Sequence, residues 1–518
     1  MQCQRTPFLR DIAANSRDDA PRLIYADWLE ERGDAQGEFI RIQCELGSNK
    51  QLPVKQRNDL KARELQLLRQ FGKGWAGELR GLVKKWQFER GLVTGVRIDS
   101  ATFLKIGKDL LKSQPIIDVD FWNAFDHLED LAASDAIGGL RSIGFPFCNI
   151  GLAGNSSTHF RWPTGRRFDY EEYLQQSQAF ENTKENLRGK SVARLLSFFD
   201  RAAFRDLRKL RLTQNFIGDA GLALLSKYEA LKSLESLDIQ VNGLSSLGLD
   251  ALEQGPAFAN LQELMLSGCK NISHSYDEDL IGPITTSLSK LLPRVKRLSA
   301  CECGLTLQSI AQLNQTSISQ LEQLSLRGNM LYDGGGDDDS RAALVRSRLL
   351  TDLHELNLGS CYLSGQHLLD MFGHNQLLSL QIFDLANNSL GPIAGQALAR
   401  ANLPSLSTLV LDGQPEGTLG DEGVKPFLES TSLPNLSVLS VRRQQLSDPS
   451  VNALLESPML QQLYSIDLSD NKLTDASAER LVIHGPWPRL ASLNLRRNRI
   501  SPWAKEQLRQ RFDYRVLY

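Results

Sequence analysis

The sequence predicts an α/β fold in which strand–turn–helix units stack into a solenoid behind a small helical N-terminal domain. Three observations support this prediction. Leucine occupies 88 of the 518 positions and 63 of the 300 positions from 201 to 500, so one residue type fills one kind of slot many times. These leucines keep a register that recurs about every 27 residues. The chain also exceeds the size at which a single compact core stops growing, which favours an elongated array.

Residues 1–50 predict a helical domain that contains no repeats. Asp18 is placed to cap a helix with Pro21 in its first turn, and Gly33 is placed to end it. Ile24 and Trp28 are four residues apart and share one face of this helix. A second short helix carries the apolar residues Phe39, Ile42 and Leu46.

Several stretches of this region resemble the bacterial repeat-companion domain, a module of chains that also carry repeats. The matching stretches are Asp19–Leu23, Tyr25–Glu31 and Glu38–Arg41, and the later residues Trp86–Arg90 and Gly91–Val93 also resemble members of that family. The resemblance implies a bacterial protein but brings no settled biochemical activity.

Tyr25, Asp27 and Trp28 predict a small helical core that caps the open end of the solenoid, as repeat arrays require for solubility. A recruitment surface for another protein is the alternative. Residues 51–90 are expected to form a helical linker that completes this N-terminal cap.

The repeats begin weakly and then become regular. Residues 91–150 predict three short degenerate units, which begin near Val93, Ile116 and Leu140. From 191 to 500 the pattern L-x-x-L-x-L-x-x-N/C-x-L predicts eleven units. Their first positions are Leu207, Leu234, Leu261, Val295, Leu321, Leu353, Leu380, Leu406, Leu436, Leu463 and Leu490.

The pattern has a geometric meaning. Alternating leucines point into the solenoid, and the residues between them point outward. The N/C position of the pattern, which we call the Asn slot, follows where the chain leaves the strand. An asparagine there can donate to and accept from backbone groups that would otherwise be buried unpaired. Cysteine can replace it as a small, buried, weak donor. The slot residues are Asn215, Asn242, Cys269, Cys303, Asn329, Cys361, Asn388, Gln414, Gln444, Asn471 and Asn498, and Cys148 holds the slot in a degenerate unit.

The units resemble leucine-rich repeats of the ribonuclease-inhibitor-like class. Asp219, Asp448 and Asp475 lie four residues after the slot, where each predicts the cap of a helix, and Pro449 supports this at the first helical position. The resemblance implies a horseshoe with a parallel sheet on its concave face and helices on its convex face. Residues 501–518 are predicted to form a C-terminal cap.

Composition narrows the class of protein. The 59 basic and 61 acidic residues give a net charge of −2, which argues against nucleic-acid binding as the main function. No apolar run is long enough to span a membrane, and no hydrophobic signal segment opens the chain, so a cytoplasmic location is expected. Seven cysteines in such a chain predict reduced thiols. A monomer is expected.

Three motifs invite a chemical interpretation, but each lacks part of what the chemistry needs. Gly189-Lys190-Ser191 lacks the earlier glycine and the preceding strand of a phosphate-binding loop. Cys301 and Cys303 have no second pair for a metal ion, and the acidic stretch from Asp333 to Asp339 lacks the spacing of a calcium loop. We therefore expect no enzyme activity, no cofactor and no metal.

Residues 151–190 predict a polar insertion that interrupts the repeats. It carries aromatic residues among arginines, a composition found in binding hot spots, and its candidate contacts are Trp162, Arg166, Arg167 and Tyr170. An excursion packed on the edge of the solenoid, or partly disordered, is the alternative.

The sequence predicts a non-catalytic scaffold that binds another protein on the concave face, because consecutive repeats present their outward residues as one rigid surface. An enzyme regulator, similar to a ribonuclease inhibitor or a GTPase-activating protein, is the alternative. The predicted partner-binding residues are Arg211, Asp238, Glu302, Arg327, Asn357, Asp384, Arg442, Arg443, Asp467, Asp470, Arg496 and Arg497.

Overall fold

The computed structural model describes most of the chain. The described residues are 2–15, 18–49, 52–146, 148, 194–202, 204, 206–215, 217–268, 278–316, 320–331, 343–374, 377–413 and 417–517. They form two compact units. The first comprises 1–80, 88–93 and 272–518, and the second comprises 81–87 and 94–271.

Four helices open the first unit. They are α1 (Gln2–Ala14), α2 (Ala20–Glu30), α3 (Gln36–Ser48) and α4 (Val54–Trp75). Helix α1 was not expected from the sequence, and α2 follows Asp19 instead of Asp18 at its N-terminus. The Asp18 carboxylate instead accepts the Ala20 N–H at 2.9 Å.

The buried face of α2 differs from the face that Ile24 and Trp28 share. Ile24 is 57% exposed, whereas Tyr25 and Leu29 are 1% exposed. This face packs against both α1 and α3: the Phe8 ring of α1 stacks on Tyr25 with centroids 5.3 Å apart, and Ile40 of α3 belongs to the same buried cluster. Asp27 is exposed and forms an ion pair with Arg41 of α3.

A tight turn joins the first two strands. Strand β1 (Lys85–Glu89) and strand β2 (Leu92–Asp99) are connected by Arg90 and Gly91, whose φ angles of 51° and 82° are both positive, as a two-residue hairpin turn requires. A Cβ atom on Gly91 would lie 2.3 Å from Ile40 Cγ1, so only glycine lets α3 approach the turn this closely. The sequence placed residues 85–89 in a helical linker, but the structure shows a strand there.

The remaining strands pair in chain order within each unit, and each of these pairs is parallel. The second unit contains β3 (Asp118–Trp122), β4 (Ser142–Gly144), β5 (Lys209–Arg211), β6 (Ser236–Asp238) and β7 (Glu263–Ser267). The first unit contains β8 (Arg297–Cys301), β9 (Gln323–Ser325), β10 (Glu355–Asn357), β11 (Ile382–Asp384), β12 (Thr408–Val410), β13 (Val438–Ser440), β14 (Ser465–Asp467), β15 (Ser492–Asn494) and β16 (Val516–Leu517).

A helix follows most of these strands. The helices are α5 (Ser100–Ser113), α6 (Leu128–Ala133), α7 (Gly218–Leu225), α8 (Ser246–Gln254), α9 (Glu278–Leu291), α10 (Leu307–Leu313), α11 (Gly365–His374), α12 (Ile393–Arg400), α13 (Gly420–Glu429), α14 (Asp448–Glu456), α15 (Asp475–His484) and α16 (Pro502–Phe512). Residues 194–201 are also helical. The predicted fold class, an α/β leucine-rich repeat solenoid with a helical N-terminal region, is confirmed.

The central leucine of each strand forms a continuous core column. Leu324, Leu356, Phe383 and Leu409 stand next to one another in register, and each is 4% exposed or less. Burying such a side chain stabilises the fold by roughly 1.5–3 kcal/mol. The repeated leucines therefore supply the core that a single unit could not build alone.

The Asn slot links neighbouring units as the sequence predicted. Asn388 donates to the carbonyl oxygens of Leu358 and Leu385 at 2.8 and 2.9 Å, and its Oδ1 accepts the N–H groups of Cys361 and Leu363. One side chain thus satisfies four backbone groups of two consecutive units. Asn215, Asn242, Asn329, Gln444, Asn471 and Asn498 also bridge units. Cys269 and Gln414 lie outside the described residues.

The helix-initiating aspartates cap a different group from the one expected. Ser447 occupies the N-cap position of α14, and Asp448 is the first helical residue. The Asp448 carboxylate instead accepts the Thr474 N–H at 2.9 Å and the Thr474 hydroxyl at 2.7 Å, both in the following unit. The same aspartate bridge connects Asp219 to Ser245, Asp421 to Ser447 and Asp475 to Ser501.

Candidate functional site

The sheet face is the surface formed by the strand residues that alternate with the buried leucines. From β9 to β14 each three-residue strand has a buried centre between two half-buried residues. Because these strands are in register, their outward side chains form two parallel columns. The geometry that the sequence assigned to the partner-binding residues is therefore present.

The turn after each strand adds a third column, which includes the predicted residues Glu302, Arg443, Asp470 and Arg497, but the sequence did not reveal its backbone geometry. The residue immediately before the Asn slot has a positive φ of 52–58° in the described non-glycine cases, which are Gln214, Val241, Glu302, Ser360, Asn387, Arg443, Asp470 and Arg497. Glycine occupies the equivalent position at Gly268 and Gly328. The varied side chains hid this backbone constraint, because a positive φ normally favours glycine or asparagine.

In the second unit, the predicted site residue Arg211 is enclosed by acids. Its guanidinium donates to Asp118 Oδ2 at 3.1 Å and to Asp120 Oδ1 at 2.8 Å. Burial alone would lower the pKa of Arg211, but the hydrogen bonds and charges of these two carboxylates raise it. Arg211 is therefore neutralised within the chain.

Gly144 makes this network possible. Strand β4 lies between β3 and β5, so Arg211 must cross Gly144 to reach Asp120. A Cβ atom on Gly144 would lie 2.0 Å from Asp120 Oδ1. The missing side chain therefore opens the path for an ion pair between strands that are not neighbours.

Asp238, the second predicted site residue of this unit, is 8% exposed. Burial raises its pKa, and the hydrogen bond from the Gln240 N–H and the charge of Arg211 act in the opposite direction. A side chain so covered offers little surface to a partner.

The predicted residues in the middle repeats of the first unit differ in exposure. Glu302 is exposed in the turn after β8, and Arg327 is half-buried. Asn357 and Asp384 lie side by side on β10 and β11, where Asn357 Nδ2 donates to Asp384 Oδ2 at 3.1 Å. Tyr362, which the sequence analysis missed, is 62% exposed in the turn after β10. An exposed tyrosine is a frequent binding hot spot.

The predicted residues in the last repeats include cations that make no ion pair with any residue in the described ranges. Arg442 pairs with Asp470 at 2.5 Å, and Arg497 is 3.4 Å from the same carboxylate. Burial raises the pKa of Asp470, but the hydrogen bond and charge of Arg442 outweigh this effect and lower it. Arg443 and Arg496 are exposed, and neither makes an ion pair within the described part of the chain.

Asp467, which lies on β14 below these turns, is satisfied by its own neighbourhood. Its carboxylate accepts the Ser469 N–H at 2.9 Å and the Asn494 amide at 2.7 Å. It therefore contributes a fixed negative charge under the arginines.

Helix α4 covers part of the sheet face, which corrects the expectation of an open surface. Arg69 Nη2 donates to Ser492 Oγ on β15 at 2.6 Å, and Ser492 is only 5% exposed. Asn58 Nδ2 donates to the Asn435 carbonyl at 2.9 Å. Asp59 pairs with Arg489 at 2.5 Å. The partners of this helix are more than 370 residues away in sequence, so no local pattern indicated the contact.

The contact between α4 and the repeats is polar. A groove of about 360 Å³ remains beside it, lined mainly by polar residues that include Asn58, Gln461, Gln462 and Arg489. Burial and the charge of Glu64 raise the pKa of Tyr464 to about 12. Because the contact lacks a large apolar seam, we expect it to contribute little to stability.

The insertion contacts predicted at Trp162, Arg166, Arg167 and Tyr170 lie outside the described residues, as do the Gly189-Lys190-Ser191 motif and the acidic stretch from Asp333 to Asp339. Cys301 Sγ is 3.2 Å from both Ser299 Oγ and Ser325 Oγ, and Cys303 occupies its Asn slot. Among the described side chains, no group of three or more His, Cys, Asp or Glu is arranged to hold a metal ion.

The described thiols are structural. Cys148 and Cys361 donate weakly to the carbonyls of Phe121 and Leu326. Burial raises the pKa of Cys361 to about 12 and that of Cys148 to about 11, so both thiols stay protonated near neutral pH. Within the described ranges, no helix has the length and apolar character needed to cross a membrane.

Comparisons with known proteins do not assign a family. No family model matches the chain, and no curated protein matches it. A structure of the yeast Rad7 and Elc1 complex is 16% identical and covers 65% of this chain and 91% of that chain, with a TM-score of 0.38. An internalin, InlF, from Listeria monocytogenes is 21% identical and covers 58% of this chain and 78% of that chain, with a TM-score of 0.32.

A structure of TLR13 with ssRNA13 is 20% identical and covers 58% of this chain and 41% of that chain, with a TM-score of 0.34. The fold assignment therefore rests on the strands, helices and Asn-slot bonds of this chain. The resemblance of the N-terminal region to the repeat-companion domain stays a prediction.

Proposed function

We propose that this chain is a non-catalytic scaffold that binds a partner protein on the sheet face of its first unit. The observation that carries the proposal is the run of six consecutive strands, β9 to β14, whose outward side chains are all half-buried and in register. At a strand spacing of about 4.8 Å, this run extends for roughly 24 Å. A rigid surface of this length suits the recognition of another macromolecule.

The chemistry of this surface supports a protein partner. Its centre carries β-branched side chains, Ile382, Thr408, Val410 and Val438. Glu355 lies beside Ile382 on one side, and Arg442 follows β13 on the other. An apolar centre between charged margins is the usual anatomy of a protein–protein interface.

The protonated thiols support a non-catalytic role for the cysteines, because a thiolate is the nucleophilic form. The distribution of charge also fits binding, since the margins of the surface carry opposite signs and can orient a polar partner during association.

Site-specific photo-crosslinking tests this proposal. p-Benzoylphenylalanine is placed at Thr408 or Val410 on β12 and, as a matched control, at Leu247 of α8, which is 71% exposed on a helix. After irradiation in the cells that make the protein, crosslinked products are identified by mass spectrometry. We expect the same protein to be captured from both β12 positions and not from position 247. Capture from position 247 alone, or no product from β12, would contradict the proposal.

A further inference from the structure

A cluster of basic side chains follows the ends of β13, β14 and β15. We call it the arginine rim. It consists of Arg442, Arg443, Lys472, Arg496, Arg497 and Arg499.

Backbone hydrogen bonds hold the rim residues side by side. The Arg443 N–H donates to the Ser469 carbonyl at 3.2 Å, and the Asp470 N–H donates to the Arg496 carbonyl at 2.9 Å. The Arg499 N–H donates to the Leu473 carbonyl at 2.8 Å. Consecutive turns are therefore aligned, and residues on turns two strands apart have backbones separated by roughly 10 Å.

The rim has too few negative charges for its six cations. Asp470 lies within this group of turns, and Arg442 and Arg497 already contact it. Asp412, which accepts the Arg442 N–H at 3.0 Å, and Asp467 lie nearby, so three carboxylates stand against six cations. Arg443, Arg496 and Arg499 are exposed and make no ion pair with any described residue. Arg497 is paired only at 3.4 Å, and its side chain is 70% exposed.

Helix α4 brings a further cation to the rim. Arg69 donates to the neutral hydroxyl of Ser492 at 2.6 Å. Burial and the nearby charge of Arg496 lower the pKa of Arg69. Two guanidinium groups are therefore held in one neighbourhood, and a bound anion would relieve their repulsion.

We propose that the arginine rim binds an acidic segment of a polypeptide, whose carboxylates supply the anions that the rim lacks. This inference rests on the proposed function and specifies the chemical class of the partner. Guanidinium groups bind carboxylates through two parallel hydrogen bonds, and the aligned turns present several of them within about 10 Å.

The same surface is less suited to nucleic acid. Asp470 lies between Arg442 and Arg497, where it would repel one phosphate of a continuous backbone. The rim contains no aromatic side chain on which a base could stack. Discrete carboxylates can be placed on either side of Asp470, whereas evenly spaced phosphates cannot avoid it.

Fluorescence anisotropy with defined probes tests the inference. The probes are a fluorescein-labelled decaglutamate peptide, a labelled ten-residue Gly-Ser peptide and a labelled ten-nucleotide oligothymidylate. They are titrated with the full chain, with the variant Arg443→Glu/Arg497→Glu, and with the control variant Lys425→Glu/Arg480→Glu. The control makes the same change in charge on α13 and α15 of the preceding repeats, where Lys425 and Arg480 are exposed.

We expect the unmodified chain to bind decaglutamate and not the Gly-Ser peptide. The rim variant should lose at least about tenfold in affinity, which corresponds to 1.4 kcal/mol, and the control variant should retain its affinity. Melting temperatures of both variants should match that of the unmodified chain, because the altered side chains are exposed.

Three results would overturn the inference. They are the absence of decaglutamate binding, an equal loss in the control variant, or tighter binding of oligothymidylate than of decaglutamate with the same dependence on the rim. The photo-crosslinking experiment separates this failure from failure of the scaffold proposal. If a partner captured at β12 binds the rim variant normally, the scaffold proposal stands, and the inference that the rim binds an acidic segment is rejected.

Discussion

The sheet faces of the two units differ in whether their charged side chains are paired within the chain. In the second unit, Arg211 is surrounded by Asp118 and Asp120, so the charges neutralise one another within the chain. In the last repeats of the first unit, Arg443 and Arg496 are exposed and make no ion pair with a described residue. The same repeat geometry therefore supports a self-contained surface in one region and a surface with unsatisfied charge in the other. Only the second kind can gain ion pairs when a partner binds.

The two units differ in surface charge, but we expect their buried cores to be equally sensitive to substitution. Aspartate substitutions in the core test this expectation and should have the largest effect. Leu210 of β5 and Leu356 of β10 are 0% and 1% exposed. Leu210→Asp and Leu356→Asp should each lower the free energy of unfolding by about 4 kcal/mol or more, because each loses burial and buries an unpaired charge. Urea unfolding monitored by circular dichroism measures the loss.

Thr408→Asp is the control for the core substitutions, since Thr408 points outward on β12. It should cost less than about 1 kcal/mol. Equal damage from Thr408→Asp and Leu356→Asp would mean that the assigned inward and outward directions are wrong.

Removing one arginine from each region tests most directly whether the two surfaces differ in how their charges are paired. Arg211→Met leaves Asp118 without its cation and Asp120 with Arg97 alone, and should cost about 2 kcal/mol. Arg443→Met removes an exposed cation without an ion pair among the described residues and should change stability by less than about 0.5 kcal/mol. The difference in melting temperature between the two variants measures the contrast.

Gly144→Ala provides an independent test of the Arg211 network, because the added methyl group would meet Asp120 Oδ1. It should destabilise the chain and add little further loss in the Arg211→Met background. Additive losses would show that the glycine acts elsewhere.

Acid should loosen the last repeats through the aspartate bridges. Burial raises the pKa of Asp448, but the hydrogen bonds from Ser477 and Thr474 outweigh this effect and lower the pKa below the ordinary 3.8. A carboxylate with a lowered folded pKa stabilises the fold above the unfolded pKa, and this contribution is lost as the pH falls through the folded value. Asp448→Ala should therefore cost about 1 kcal/mol at pH 7 and progressively less below about pH 3.8.

Unfolding curves of the unmodified chain and of Asp448→Ala between pH 7 and pH 2 measure this convergence. Ser469→Ala is a nearby control, since its hydroxyl bonds Asp467 instead of Asp448. A difference between Asp448→Ala and the unmodified chain that stays constant with pH would contradict the role of the ionised bridge.

The contact of α4 should give only a small change in stability. Asp59→Lys replaces its ion pair with Arg489 by a repulsion and should cost about 0.5 kcal/mol. Amide exchange across Val54–Trp75 should become faster, because the helix is held less firmly on the repeats. The double variant Asp59→Lys/Arg489→Asp should restore slow exchange by reversing the pair. Unchanged exchange in Asp59→Lys would mean that this pair does not hold the helix.

Local repetition made the solenoid predictable. The leucines and the Asn slot act within one unit or between adjacent units, so their spacing carries the information, and Asn388 forms the bridge that its position indicates. The buried face of α2 was not predictable in the same way, because it packs against Phe8 of the unexpected helix α1 and Ile40 of α3, which the pattern of α2 alone does not indicate.

The candidate site was only partly predictable for the same reason. Outward positions followed from strand alternation, but alternation does not reveal which charges find partners. Arg211 reaches Asp120 across Gly144, 91 residues away in sequence, and Arg69 reaches Ser492 across 423 residues. Such contacts depend on how distant repeats and helices come together, which the composition of any one unit does not encode.

The residue before the Asn slot has a positive φ at Val241, Glu302, Ser360 and Arg497 alike, although Gly413, which precedes Gln414, does not share it. The backbone there is fixed by its neighbours, so the side chain can change while the scaffold stays the same. The side chains at these positions can therefore vary independently on a backbone that stays the same. New specificity could therefore evolve by single substitutions along one edge of the molecule, without the cost of remodelling its interior.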